Sequence, residues 1–285
     1  MLFCEINNKN IDQYKDFFDE STLENLDRDC CYFVALHSGE GKPPQGVISW
    51  EMFPTDNEDI VEGELLSLAA TTQKAGKALL AEYETQARET GIEKTYFEFP
   101  VAEESDDFTE KVLTDAGFTV RESESVYVTV KVDEIRELLF MSPQFEDSRV
   151  KSLGELSIPE FRIGVRNCIY GNHRGLLYDL SSLPFGYYEM NVSCAVESDG
   201  DVKGLFLVHR LPSGKFIAKL LYASGKRSQV ELLQMLHFAG QKMIDTYSGD
   251  TEIMIHIRDN KRRDLVKKLI PNARGNEVKV GVKEE

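Results

Sequence analysis

The stretch Glu64-Leu-Leu-Ser-Leu-Ala-Ala-Thr-Thr-Gln-Lys-Ala-Gly-Lys-Ala-Leu-Leu80 decides the fold of this chain. It predicts an apolar strand, a short polar turn and a helix entered through Gln73-x-x-Gly76-x-Ala78, with the helix itself running from about Gly76. A helix entered through small residues leaves unpaired N–H groups at its positive end, and these suit a phosphate or pyrophosphate. Gly76 and Ala78 lack the side-chain bulk that would keep a ligand from the backbone. The stretch therefore predicts a nucleotide-like ligand.

The composition predicts a folded protein of one large or two ordinary domains. The chain has 285 residues, of which 41% are hydrophobic and 10% aromatic, enough to fill a sizeable core. It contains no run of 18 apolar residues, and its first residues carry neither a basic nor a continuous apolar segment. We therefore expect no membrane span, no secretory signal and a cytoplasmic location.

The cysteines and histidines predict neither disulfides nor a metal site. The five cysteines are odd in number and lack metal-like spacing, and Cys30 and Cys31 are adjacent, which is poor geometry for an ordinary disulfide. The five histidines are scattered along the chain. We expect reduced thiols and no bound metal.

Charge is distributed unevenly between the two halves. Residues 1–132 carry 28 acidic and 11 basic side chains, whereas residues 133–285 carry 21 acidic and 22 basic ones. An acidic surface of this density repels nucleic acid and anionic lipid and attracts cationic molecules. The simpler alternative is that these charges only keep the protein soluble.

The first half predicts a mixed sheet covered by helices, in the order βαβββαβαβ. The expected helices are residues 11–18 (capped by Asn10), 76–90 (ended by Gly91) and 106–116 (ended by Gly117). The expected strands are residues 2–6, 31–37, 45–53, 63–70, 92–99 and one or two strands within 120–132.

The second half loosely repeats that order, which predicts two similar units, 1–132 and 133–285. Residues 133–141 are expected to form a linking helix. The other expected helices are 156–168, 174–183, 226–247 and 261–270. The expected strands are 188–197 and 202–210 (a hairpin turning at 198–201), 216–222, 252–257 and 278–282.

The hexad Gln73-Lys-Ala-Gly-Lys-Ala78 resembles motif A of the GNAT N-acetyltransferase superfamily, Gln/Arg-x-x-Gly-x-Gly/Ala. The preceding Leu66-Ser-Leu68 is similar to the central strand of that family, and Val112–Phe118 is similar to its helix with a Gly-Phe ending. The second half resembles the family only in element order, because Ala223–Gln229 lacks the spaced small pair. The resemblance implies an α+β fold of two tandem GNAT-like domains, the second degenerate.

The resemblance also implies acetyl-CoA as the ligand. The backbone of Leu66, Ser67 and Leu68 would pair with the pantetheine arm, where the central strand splays from its neighbour. The start of the following helix would hold the pyrophosphate, with the N–H groups of Lys74 to Leu79 as donors and Lys74 and Lys77 adding charge. This second set comprises Gln73, Lys74, Ala75, Gly76, Lys77, Ala78 and Leu79.

Activity in this family is transfer of the acetyl group to an amine, which requires a base. Glu62 and Glu64 are the candidates, because Glu62 lies where some family members place a base. Their parity along the strand predicts that they share a face with Leu66 and Leu68. The alternative is that they form a solvated strand end.

The acid that would protonate the leaving thiolate is absent from its usual position. Family members often place a tyrosine four residues before the Gly of the Gly-Phe pair, and this chain has Leu113 there. Tyr83, Tyr96 and Tyr127 are substitutes, and Asp106 stands where the family often has an asparagine. The sequence therefore leaves two functions open. One is an N-acetyltransferase acting on a small-molecule or peptide amine, and the other is a non-catalytic acyl-CoA-binding or interaction module.

Overall fold

The computed structural model describes residues 1–54, 61–101, 108–170, 183–198, 200–257 and 260–284. The chain forms two compact units: Met1–Ser123 with Glu277–Glu285, and Glu124–Asn276. This division falls after Ser123 rather than after residue 132, and it assigns the last strand to the first unit. The predicted helix 174–183 lies outside the described residues except at its last residue, and Asp106 lies outside them altogether.

The first unit is built on a mixed sheet, as the sequence predicts. Its order is β1-β2-β3-β4-β5-β12, in which β4 and β5 are parallel and the other neighbours antiparallel. The strands are β1 (Leu2–Glu5), β2 (Cys31–His37), β3 (Pro44–Pro54), β4 (Val61–Ala70), β5 (Ile92–Pro100) and β12 (Arg274–Glu284). The helices are α1 (Glu20–Leu23), α2 (Gln73–Thr90) and α3 (Phe108–Asp115).

Apolar side chains on both faces of this sheet build two cores. Helices α2 and α3 cover one face, where Leu65 packs with Leu79 and Leu113. The other face packs Phe33 against residues that precede β2. Gly91, at a φ of 75°, ends α2 in the left-handed conformation that glycine favours. The sheet and its helices therefore follow the apolar periodicity of the sequence.

The predicted helix 11–18 is instead two short 3-10 turns, Ile11–Gln13 and Lys15–Phe17. Asn10 does not cap a helix: its Oδ1 accepts from the Asn7 N–H (2.8 Å) and its amide donates to the Glu5 carbonyl (2.9 Å). The asparagine is thus used to shape the turn after β1, and the following segment lacks a side-chain cap.

Strand β12 is attached to the first unit by more than its pairing with β5. Lys279 contacts Glu110 of α3 at 2.5 Å, and Lys283 contacts Glu84 of α2 at 2.5 Å. Gly281 lies against the core, since a Cβ there would be 3.2 Å from Leu113 Cδ1. The last strand of the chain thus completes the sheet and core of the first unit.

The second unit contains a comparable mixed sheet with the order β7-β8-β9-β10-β11-β6. Strands β10 and β11 are parallel, and residues 126–131 of β6 pair with β11 in antiparallel fashion. The strands are β6 (Thr119–Lys131, which enters this unit at Glu124), β7 (Val150–Ser152), β8 (Cys194–Ser198), β9 (Asp201–Arg210), β10 (Phe216–Ala223) and β11 (Glu252–Ile257). The helices are α4 (Val132–Ile135), α5 (Ile158–Tyr170), α6 (Ser228–Thr246) and α7 (Asn260–Leu269).

Two elements of the second half differ from their predictions. The expected linking helix 133–141 is only the short α4 and a 3-10 turn, Leu139–Met141. The expected strand 188–197 is reduced to β8, because a 3-10 turn at Phe185–Tyr187 and a further turn precede it. None of the helices in the described part of the chain is long and apolar enough to span a membrane.

Candidate acyl-CoA site

Strand β4 carries a β-bulge at Leu66. Ser49 of β3 faces Ser67, and the next residue of β3, Trp50, faces Leu65, so that Leu66 has no opposite residue in β3. A bulge adds one residue to a strand, bends it and increases its twist. The central strand therefore changes direction at the first of the three residues predicted to contact pantetheine.

Beyond the bulge, β4 separates from β5. Their parallel pairing ends at Leu65 opposite Phe97, although β4 continues to Ala70 and β5 continues to Pro100. Among the described residues, the backbone of Leu66–Leu68 therefore has no ladder partner on the β5 side. An opening between parallel strands offers backbone groups to an extended, amide-bearing ligand.

Helix α2 begins at Gln73, three residues before the predicted start. Thr72 caps it, since its Oγ1 accepts from the Ala75 N–H (3.1 Å) and its carbonyl accepts from the Gly76 N–H (3.0 Å). Lys77, Ala78 and Leu79 lie further inside the helix, where N–H groups donate to carbonyls four residues back. The N–H groups from Ala75 to Leu79, which the sequence prediction counted among the pyrophosphate donors, are therefore already bonded within the helix or to its cap.

The N–H groups of Gln73 and Lys74 are therefore the ones that the helix itself leaves unpaired. Both side chains are exposed. Lys77 also lies on this surface, but its Nζ forms an ion pair with Asp115 Oδ2 at 2.6 Å. The positive end of α2 and the Lys74 ammonium together provide the favourable potential for an anion.

Gly76 serves the packing of α2 on α3. A Cβ at Gly76 would be 3.0 Å from Val112 Cγ1, 3.3 Å from Val112 Cγ2 and 3.7 Å from Ala70 Cβ. The glycine thus faces the neighbouring helix, whereas the sequence interpretation assigned its lack of bulk to ligand approach. Close contact between the two helices brings Asp115 within reach of Lys77.

The bulge also places Glu62 and Glu64 differently from the prediction. An extra residue reverses the alternation of side chains, and Leu68 accordingly packs in the same core as Leu65. The prediction that the two glutamates share a face with Leu68 is therefore wrong. Glu64 instead lies directly opposite Glu51 of β3.

Glu62 has a phenolic partner on β5. The Tyr96 hydroxyl donates to Glu62 Oε1 at 3.2 Å, and Lys94 Nζ lies 5.1 Å from the centre of the Tyr96 ring. The hydrogen bond with Tyr96 is the main cause that raises the pKa of Lys94 above its usual value. Sequence reasoning named Glu62 and Tyr96 separately, but their pairing depends on the β4–β5 register.

The usual position of the acid and the two remaining tyrosine candidates have structural roles instead. Leu113 is fully buried in the core. The Tyr83 hydroxyl, also buried, lies 2.7 Å from Thr95 Oγ1. Tyr127 stacks on His256 in the second unit, with ring centres 4.4 Å apart.

The second unit contains the same backbone arrangement without the motif. Strand β10 has a bulge at Lys219, since Ala218 faces Val208 and Leu220 faces Leu207. Its parallel pairing with β11 ends at Ala218, although both strands continue. The sequence interpretation missed this feature, because a bulge requires no particular residue type.

No protein-family model matches the sequence, and no curated protein is similar enough to it to match. The fold is nonetheless found in solved structures. A tandem GNAT protein from the clavulanic acid biosynthesis pathway, solved without AcCoA, is 9% identical with a TM-score of 0.72; the match covers 99% of this chain and 98% of that one. The chain has the tandem GNAT fold.

Two further solved structures are similar to this fold over almost the whole chain. One is a GCN5-related glucosamine N-acetyltransferase region of a fungal multi-domain GH3 β-N-acetylglucosaminidase, 9% identical with a TM-score of 0.73, covering 99% of this chain and 38% of that one. The other is a putative acetyltransferase from Pyrococcus horikoshii, 11% identical with a TM-score of 0.59, covering 100% and 89%. All three likenesses, at 9–11% identity, are likenesses of fold.

Proposed function

We propose that the first unit binds acetyl-CoA and transfers its acetyl group to a primary amine. The observation that carries the proposal is the opening between β4 and β5, which begins at Leu66 and runs along β4 to Ala70, with two residues between Ala70 and the start of α2. The opening offers backbone groups to the pantetheine arm, and the N–H groups of Gln73 and Lys74 suit the pyrophosphate. Ser67 and Leu68 continue the pantetheine contact, and the first turns of α2 up to Leu79 form the wall beside the phosphates.

The chemistry we propose is direct attack of a neutral amine on the thioester carbonyl. Glu62 or Glu64 removes the ammonium proton, either directly or through water, and the thiolate leaves as CoA. Tyr96 donates its hydroxyl to Glu62, which orients that carboxylate and keeps a protic group beside it. We propose Tyr96 for the role that Leu113 cannot fill.

The acceptor we propose is a cationic small molecule or a peptide amine. Residues 1–132 carry the excess of acidic side chains, and Glu62 and Glu64 lie two residues apart on β4. A field of this sign raises the local concentration of an amine in its ammonium form.

Calorimetric titration with acetyl-CoA tests the ligand. Lys74→Glu should weaken binding by about tenfold, because it places a carboxylate beside the pyrophosphate. The same change favours the helix start, so the variant should stay folded. Lys42→Glu, which makes the same charge change in the β2–β3 turn, is the matched control. Wild-type protein without affinity, or equal losses in both variants, would refute the site.

A second candidate is a non-catalytic acyl-CoA-binding module, favoured by the buried Leu113 at the usual acid position. CoA release measured with a thiol reagent, against a panel of mono- and polyamines and peptides, separates the two functions. Turnover on any amine that is lost in Glu62→Gln/Glu64→Gln supports the transferase. Tight binding without turnover across the panel supports the binding module.

A further inference from the structure

Two adjacent thiols and a carboxylate come together at the start of β2. The sequence predicts no metal site, because the cysteines lack metal-like spacing and the histidines are scattered. The structure adds Glu51, which faces Cys31 directly across the β2–β3 ladder. The two sulfur atoms are 3.8 Å apart, and Cys31 Sγ is 3.7 Å from Glu51 Oε2. The ligand atoms of all three residues lie within 4.8 Å of one another.

The Cys30–Cys31 and Cys31–Glu51 distances are close to those of a tetrahedral metal site. Zinc binds thiolate sulfur at about 2.3 Å and carboxylate oxygen at about 2.0 Å. Two sulfurs on a tetrahedral zinc are therefore about 3.8 Å apart, and a sulfur and an oxygen are about 3.5 Å apart. The third distance, between Cys30 and Glu51, is within 4.8 Å, and these two side chains would move closer together to hold such an ion.

The backbone explains why neighbouring cysteines reach the same point. Cys30 precedes β2, so the alternation of side chains within a strand does not apply to it. The Cys31 N–H donates to the Arg28 carbonyl (2.9 Å), and the Cys30 carbonyl accepts from the Met52 N–H (2.9 Å). This turn is thus held to β3 on the side where Glu51 is placed.

The charges of the cluster also fit a divalent cation. Two thiolates and one carboxylate carry three negative charges, and Arg28 Nη1 lies 3.4 Å from Glu51 Oε2. A divalent ion and the guanidinium together balance them.

We propose that Cys30, Cys31 and Glu51 bind one Zn²⁺ ion. Two Zn–S bonds and one Zn–O bond form, both thiol protons pass to solvent, and no oxidation occurs; water completes the tetrahedron. The ion joins the start of β2 to β3. Soft sulfur ligands favour zinc over magnesium or calcium.

Zinc titration of the reduced full-length protein, in competition with a chromophoric chelator, tests the proposal. The expected result is one zinc per chain, with affinity reduced by about tenfold or more in Cys30→Ser, Cys31→Ser and Glu51→Gln. Cys4→Ser, which changes a thiol outside the cluster, is the matched control. Cadmium, as a spectroscopic probe, should show a thiolate charge-transfer band that Cys30→Ser/Cys31→Ser abolishes.

Trp50 fluorescence checks that each variant is folded, since Trp50 is buried in the core of the first unit. Folded wild-type protein that binds no stoichiometric zinc overturns the proposal. So does an equal loss of affinity in Cys4→Ser, or a cadmium band that survives removal of both thiols. The affinity for acetyl-CoA is measured separately on the zinc-loaded protein, and its value neither supports nor contradicts the zinc proposal.

Discussion

Replacing Gly76 by alanine tests the packing of α2 on α3. The new Cβ would lie 3.0 and 3.3 Å from the two methyl groups of Val112, whereas carbon atoms in contact prefer about 3.5–4.0 Å. Overpacking of this kind costs about 1–3 kcal/mol. Alanine in place of a helical glycine gains about 1 kcal/mol. We therefore expect Gly76→Ala to lower the free energy of unfolding by about 1 kcal/mol.

A substitution at Val112, which the new methyl group would contact, tests whether that contact causes the loss of stability. Val112→Ala removes two fully buried methyl groups, which should cost about 2–3 kcal/mol. In Gly76→Ala/Val112→Ala the new methyl group occupies part of the space that was opened. The two effects should therefore not add, and their coupling should be about 1 kcal/mol in the stabilising direction.

Urea unfolding followed by tryptophan fluorescence measures these values. The chain has a single tryptophan, and Trp50 packs in the same core as Val112, so the signal reports the first unit. A Gly76→Ala variant more stable than wild type by about 1 kcal/mol, the bare helix gain, would refute the close contact. Additive effects in the double variant would refute it equally.

Three further predictions follow from contacts described above. Deletion of residues 277–285 should shift the unfolding transition of Trp50 to lower urea, because β12 completes that sheet; an unchanged transition would contradict its role. Glu62→Gln should lower kcat for acetyl transfer by about 100-fold or more while the acetyl-CoA affinity measured by calorimetry stays the same; full activity would exclude Glu62 as the base. Hydrogen bonds from Arg149 are the main cause that lowers the pKa of Asp147 below its ordinary value of 3.8, so this contact stabilises the fold above that pH and is lost as pH falls through the lower folded-state pKa. In Asp147→Asn, the urea midpoint measured by far-UV circular dichroism should therefore fall less steeply as the pH is lowered. An equally steep fall would contradict the linkage.

The strand–turn–helix around Gly76 was predictable because local signals agree there. Apolar residues define β4, a polar turn follows, and Gly91 ends α2 in the left-handed conformation. Only the start of the helix was misplaced, because Thr72 caps it and Gly76 was taken as the entry point rather than as a packing position.

Features that depend on partners distant in sequence were not predictable. The bulge at Leu66 has no residue signature, yet it decides which face Glu64 and Leu68 occupy. The pairing of Tyr96 with Glu62, and of Glu51 with Cys31, follows from strand register. Register is determined by the whole sheet, which patterns within a short window do not report.

The position of β12 has a consequence for synthesis on the ribosome. Strand β5 ends at Pro100, but its partner begins only at the far end of the chain, and residues 278–284 provide the pairing. At 5–20 residues per second, that partner emerges roughly 10 to 35 s after β5. During this interval β5 is paired with β4 alone, and the other edge of this strand, which carries Phe97 and Phe99, is exposed and prone to aggregation. The first unit is therefore incomplete until β12 has been made, and a chain that lacks β12 lacks one strand of that unit.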